Sequence, residues 1–137
     1  MTEEKRKNLG KTNKRKGSDA ERFYAKIFKE EMGFTHCKTA RLGSKLHDDA
    51  GIDLIFLPFN VQIKAGKQIG LNYSKELKYM QDRMGELFPS TSVEHKLPKM
   101  VIFKKEVGPG NKRSEFDELV CMTFVDFTKL IKKIEKW

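Results

Sequence analysis

Apolar residues first recur at helical spacing at Ala20, Phe23, Tyr24, Ile27 and Phe28. This predicts an amphipathic helix from about Asp19 to Met32, with Ser18 as N-cap and Gly33 ending it. A strand is expected near Thr35 to Arg41. It is followed by a polar loop, Leu42 to Ala50, carrying Gly43, Ser44, His47, Asp48 and Asp49, and functional groups concentrate on loops of this kind. Strands at Ile52 to Leu57 and Val61 to Ala65 flank a tight turn at Pro58 and Phe59 and read as a hairpin. Tyr73, Leu77, Met80, Met84 and Leu87 form one stripe, so a second helix fits about Asn72 to Phe88, with Pro89 just beyond it. Met100 to Phe103 and Leu119 to Phe124 are expected as strands, separated by a Gly-Pro-Gly segment that carries Lys112 and Arg113. A last helix from about Asp126 uses Phe127, Leu130, Ile131 and Ile134 as its apolar face. The order α-β-β-β-α-β-β-α, with no internal repeat, implies an α+β (α/β-like) domain in which helices pack on a mixed central sheet.

Composition narrows this picture. The 137 residues suit one domain, and 38% hydrophobic residues with 10 Phe close a core despite a mean hydropathy of -0.62. A formal charge of +9 favours a polyanionic partner such as nucleic acid. Residues 1–17 carry seven basic side chains, Lys14, Arg15 and Lys16 among them, against Glu3 and Glu4. Lacking apolar periodicity, they are expected to form a flexible basic arm that orders against phosphates, or else a solubilising tail, ahead of a single domain over 18–137. The longest apolar stretch, Ile52 to Phe59, is broken by Asp53 and Pro58 and is too short to span a bilayer. No apolar stretch follows the charged N-terminus, so an intracellular location, cytoplasmic or nucleoid-associated, is expected. Cys37 and Cys121 stand alone in apolar settings and read as small buried hydrophobes, and the three His lack zinc-ligand spacing.

Chemistry concentrates in the hairpin. With the turn centred on Pro58 and Phe59, Asp53 falls opposite Lys64 and Ile55 opposite Gln62, so Asp53, Gln62 and Lys64 share one face. The other face, Ile52, Leu54, Phe56, Val61, Ile63 and Ala65, is uniformly apolar and belongs on the core. The polar trio reads either as a cross-strand Asp53 to Lys64 ion pair beside an incidental Gln, or as a metal-dependent phosphodiesterase site. In the second case a carboxylate and a carbonyl oxygen hold Mg²⁺, and an ammonium orients water or stabilises phosphate charge.

The runs Lys16-Gly17-Ser18-Asp19-Ala20-Glu21-Arg22, Ala40-Arg41-Leu42-Gly43-Ser44, Ile52-Asp53 and Gln62-Ile63-Lys64 together resemble the PD-(D/E)xK nuclease superfamily. Within it the match is closest to archaeal-type Holliday junction resolvases, and it covers roughly residues 16–66. The resemblance implies a restriction-endonuclease-like core and a homodimer that cuts branched DNA, using Mg²⁺ with Mn²⁺ as substitute. It implies no membrane partner and no small-molecule substrate. Glu21 and Asp53, with Gln62, would hold the metal and Lys64 would be the catalytic lysine. Ser44 and Arg41 would contact phosphate, and Lys14, Arg15, Lys16, Lys112 and Arg113 would grip the DNA backbone. Ile52 stands where the family name has Pro. Gln62 replaces the usual acidic residue, as in Gln-x-Lys variants similar to Mrr-type restriction endonucleases, and removes one negative charge; Asp48 or Asp49 would supply it, or else are simply solvated acids of a polar loop. Glu21 has a second reading, as the N3 member of a capping box with Ser18.

Overall fold

A computed structural model describes the backbone of residues 3–66 and 72–134, with side chains from residue 17 onward within those spans. Its chain order is α1 (Glu3–Glu30), β1 (Lys38–Thr39), α2 (Ala40–Gly43), α3 (Lys45–Asp49), β2 (Leu54–Ile55), β3 (Asn60–Gly66) and α4 (Tyr73–Leu87). There follow α5 (Val93–Lys96), β4 (Lys99–Lys105), a 3-10 turn (Glu115–Asp117), β5 (Glu118–Cys121) and α6 (Phe124–Lys133). The architecture is α+β: one five-stranded mixed sheet in the order β1-β2-β3-β4-β5, flanked by helices. Every pairing is antiparallel except β3 with β4, which run parallel from Asn60↔Lys99 to Gly66↔Lys105. That one parallel pair requires a crossover, and α4 with α5 provides it.

Alternation along β3 and β4 divides the core in two. Val61, Ile63, Met100 and Ile102 face α1 and meet its Ala20, Tyr24, Ala25 and Phe28, together with Leu54 and Cys37. Val101 and Phe103 face the other way and meet Leu77, Met80 and Met84 of α4, with Ile52 and Phe88. Gln62 and Lys64, opposite Val101 and Phe103, therefore lie on the α4 side of the sheet. The Tyr24 hydroxyl donates to Glu118 Oε2 at 2.7 Å and ties α1 to the start of β5. No helix among the described residues is long and apolar enough to cross a membrane. Cys37 is buried, Cys121 half-buried, and both are free thiols.

Several expectations are corrected. α1 begins at Glu3, not at Asp19, because its first half contains no proline and is dominated by Lys, Arg and Glu, which favour helix without any apolar period. Ser18 is thus inside the helix, and the capping-box reading of Glu21 falls with it. Gly33 does end the helical run, with φ +83 and the Phe34 amide donating to Phe28 O at 3.0 Å. The strand expected at Thr35 to Arg41 shrinks to two residues, and the polar loop folds as α2 and α3. The hairpin pairs Leu54 with Val61, two residues out of the expected register. Phe56, at φ +64, leaves the strand and is 63% exposed, and Ala65 is exposed as well. Phe124 begins α6 instead of ending β5, and the apolar face of α6 points to solvent.

Candidate active site

Asp53 sits just before β2, where the chain leaves α3 through Gly51. Gly51 holds φ +81, and a Cβ there would lie 3.2 Å from Gln62 Nε2, so both the turn and the close approach to β3 require glycine. The Asp53 amide donates to Val61 O at 2.7 Å, and the Ile63 amide donates to Asp53 Oδ2 at 2.7 Å. Its carbonyl accepts from the Ala40 amide at 2.8 Å, which docks the start of α2 on the same residue. Burial raises the Asp53 carboxyl from 3.8 to about 7, against the Ile63 hydrogen bond; the charge of Glu21 adds to the rise, Lys64 opposes it and Asp48 adds a little.

Glu21 is 4% exposed on the sheet-facing side of α1. Arg41 reaches it from α2, with Nη2 donating to Oε1 at 3.1 Å and Nε 2.8 Å from Oε2. The second contact is an ion pair without hydrogen-bond alignment, and Oε2 accepts no hydrogen bond among the described residues. Gln62 is 6% exposed on β3, and its Oε1 is buried with no donor among the described residues. Two residues on, Lys64 Nζ lies 3.6 Å from Glu76 Oε2 of α4. The charges of Glu21 and Lys64 thus act on Asp53, Arg41 joins Glu21, and Gln62 shares a face of β3 with Lys64 and packs its amide against Gly51, two residues before Asp53.

Asp53 lies ahead of β2, beyond the reach of strand parity, but the two-residue slip leaves the polar face of Gln62 and Lys64 intact, because an even slip keeps every side chain within the strands on its face. Its apolar counterpart fails at Ile52, which packs against α4 while Leu54 packs against α1. The strand begins only at Leu54, so alternation does not extend back through the Gly51 turn.

Ser44 is the N-cap of α3: its Oγ accepts from the His47 amide at 3.3 Å and lies 2.6 Å from His47 Nδ1. His47 Nε2 lies 3.9 Å from Glu94 Oε1, and burial lowers the imidazole below its ordinary value although Glu94 opposes this. The Ser44 hydroxyl is therefore engaged within its own loop. Asp48 is exposed and acts on Asp53 and Arg41 only through its charge, while the Asp49 carbonyl accepts from Arg83. Lys112 and Arg113 are exposed beyond β4, and Arg113 Nη1 donates to Lys105 O at 3.1 Å, at the sheet end where Lys64 emerges. Lys14, Arg15 and Lys16 lie in α1, and their side chains are outside the described residues.

Sequence reasoning missed Glu76, the partner of Lys64, and the engagement of Arg41 by Glu21. Glu76 carried one weak signal, an acidic residue in the first turn of a helix capped by Asn72.

Glu21, Asp53 and Gln62 present the oxygen donors that a hard divalent cation takes. The buried Gln62 Oε1 has no donor among the described residues, and the nearby Asp53 backbone carries a carboxyl raised to about 7; this donor set fits such an ion. It holds two carboxylates and one amide; no three His, Cys, Asp or Glu side chains are grouped as a metal cage among the described residues. No protein-family model matches this chain, and neither a curated protein nor a solved structure does.

Proposed function

We propose that this chain is a Mg²⁺-dependent structure-selective DNA endonuclease with a restriction-endonuclease-like core, of the Holliday junction resolvase type. The observations that support it most are a buried Asp53 carboxyl raised to about 7, with the charge of Glu21 adding to the rise, and a Gln62 amide packed against Gly51 whose buried Oε1 has no donor among the described residues. Such an arrangement is unfavourable in an empty site and becomes favourable around a cation. When bound, Mg²⁺ supplies Lewis acidity at a phosphoryl oxygen and a more acidic water, with Mn²⁺ able to replace it.

The chain's own groups do the remainder. Asp53, anchored by the Ile63 amide, is fixed in direction and would give its other carboxylate oxygen to the ion. Lys64 carries an ammonium whose charge is felt at Asp53, and exchanging Glu76 for a phosphate oxygen would set it against the negative charge that develops on the phosphoryl oxygens. Arg41 is 39% exposed along its side chain, so the face turned away from Glu21 is open to a second phosphate. The formal charge of +9, with Lys14, Arg15 and Lys16 on α1 and Lys112 and Arg113 at the Lys64 end of the sheet, holds backbone without reading bases. Symmetric cutting of a four-way junction needs two such sites in a homodimer.

A second reading, a non-catalytic DNA-binding accessory, is favoured by the pairing of Arg41 with Glu21 and of Lys64 with Glu76, which a purely structural charge cluster also produces. A duplex-cutting restriction or repair nuclease is the third outcome of the same test. Purified protein is incubated with a four-way junction, a nicked duplex and a linear duplex, with and without Mg²⁺. Mg²⁺-dependent cutting of the junction, lost in Lys64→Ala while affinity stays within about tenfold, supports the proposal. Binding without cutting, with or without Mg²⁺, gives the accessory, and equal cutting of linear duplex gives the duplex nuclease.

A further inference from the structure

Strand β4 begins with a charge that the fold does not answer. Alternation puts Lys99 on the same face as Val101 and Phe103, the face covered by α4, and Lys99 is only 9% exposed. Its backbone amide donates to Asp126 Oδ2 at 3.2 Å, but its ammonium has no hydrogen bond and no ion pair among the described residues. The other oxygen of Asp126, Oδ1, is taken by Lys129 Nζ at 3.4 Å. Burial pushes the Lys99 ammonium below its ordinary value, a shift that the charge of Asp126 opposes and that of Lys129 reinforces. Lysine is almost never buried unless it is paired.

Lys99 borders two cavities that share Gln81, Thr123 and Asp126. The larger, of about 820 Å³, is walled by α4 and α6 and has the size of a small-molecule site. Two of its polar walls are already engaged: Glu86 pairs with Arg83 at 2.8 Å, and His95 Nε2 lies 2.9 Å from Phe88 O. Asp82, exposed on α4, has neither hydrogen bond nor ion pair among the described residues. The cavity thus carries an unanswered positive charge that is buried and an unanswered negative charge on its solvent side. We infer that it binds a small zwitterion, an amino acid or short aminocarboxylate, with its carboxylate on Lys99 and its ammonium on Asp82.

The class of ligand follows from charge. An anionic acceptor is what a buried ammonium without partners lacks. A doubly charged anion such as phosphate would bring its second charge among Asp82, Glu86 and Asp126, whereas a carboxylate matches Lys99 one for one. A cationic group at the other end of the same molecule turns Asp82 from a repelling neighbour into a partner. Lys99 pairs with Asn60, away from the Lys64 stretch of β3, and the inference holds whatever the Asp53 site does.

Isothermal titration calorimetry on the full chain, without DNA or metal, tests it. Glycine, 4-aminobutanoate and 6-aminohexanoate serve as zwitterions of increasing span, and butanoate, butylammonium and inorganic phosphate as controls. At least one zwitterion is expected to bind about tenfold or more tighter than butanoate and butylammonium. Lys99→Met, which keeps an unbranched side chain and removes the charge, should retain the circular dichroism spectrum and abolish that binding. Asp82→Asn, at an exposed position, should lower the affinity of the zwitterion to that of butanoate. No zwitterion binding up to about 10 mM, or binding unchanged in Lys99→Met or in Asp82→Asn, overturns the inference. Phosphate binding more tightly than every zwitterion also overturns it and leaves a plain anion site; butylammonium doing so leaves a plain cation site. Should Lys99→Met fail to fold, the wild-type series and Asp82→Asn decide.

Discussion

Replacing Asp53 with Asn should make the metal-free protein more stable, and the gain should depend on pH. Raising a carboxyl from 3.8 to about 7 means that the fold penalises its ionised form by up to ~4 kcal/mol, at about 1.4 kcal/mol per pH unit. Between those two values the folded state holds a proton that the unfolded state has released. Wild-type stability therefore falls as pH rises through this window and levels off above about 7. Asn carries no charge and keeps a side-chain oxygen that can accept from the Ile63 amide, so it escapes the penalty. The variant should gain ~2–3 kcal/mol on wild type between pH 5 and pH 8, or about 5–10 °C in Tm for a chain of this length. Thermal unfolding followed by circular dichroism at pH 5, 6, 7 and 8, in chelator, reads this directly. Adding Mg²⁺ at about ten times its Kd should return ~1.4 kcal/mol to the wild type at pH 8 and much less to the variant. A difference between the two proteins that is absent, or the same at every pH, would refute the account of a strained carboxyl.

Gly51→Ala should lose ~1–2 kcal/mol in urea unfolding, since alanine is strained at φ +81 and its methyl group would press on the Gln62 amide. Arg41→Ala removes the counter-charge of a carboxylate that is 4% exposed, and should lower the urea midpoint by an amount equivalent to ~1–3 kcal/mol. Ser18→Ala should change Tm by less than the equivalent of ~0.5 kcal/mol, because Ser18 lies inside α1, where its Oγ accepts from the exposed Arg22. A loss of ~1 kcal/mol or more there would restore the N-cap.

How much of this was legible depended on which signal each element carried. α4 was readable end to end, because Tyr73, Leu77, Met80, Met84 and Leu87 keep helical period between Asn72 and Pro89, and Leu77, Met80 and Met84 are indeed buried. The first half of α1 was invisible, since a helix written in Lys, Arg and Glu has no apolar period to detect. In the hairpin, Gln62 and Lys64 share a face in any register because they are two apart on β3, whereas Asp53 lies ahead of β2, where the Gly51 turn and not alternation sets its direction. The expected positions of Ile52 and Phe56 fail, because positive φ at Gly51 and Phe56 breaks alternation at both ends of β2. The partners of the site charges, Glu76 for Lys64 and Glu21 for Arg41, are 12 and 20 residues away in sequence, and only the tertiary packing of α4 and α2 brings them within reach.

The single parallel pairing in the sheet also sets a folding order. All four residues grouped at the site, Glu21, Asp53, Gln62 and Lys64, precede residue 66, and the hairpin that carries three of them closes over a short loop. The far side of β3 is completed only by β4, whose first partner for Asn60 is Lys99, beyond the whole of α4 and α5. Such a long-range closure is entropically expensive and slow compared with the hairpin. During synthesis the hairpin therefore emerges and pairs while Gln62 still has water on the side where Val101 will lie. The dry surroundings that leave its Oε1 without a donor are complete only after residue 105 has docked, so a chain truncated within α4 would hold these groups in sequence and lack their chemistry.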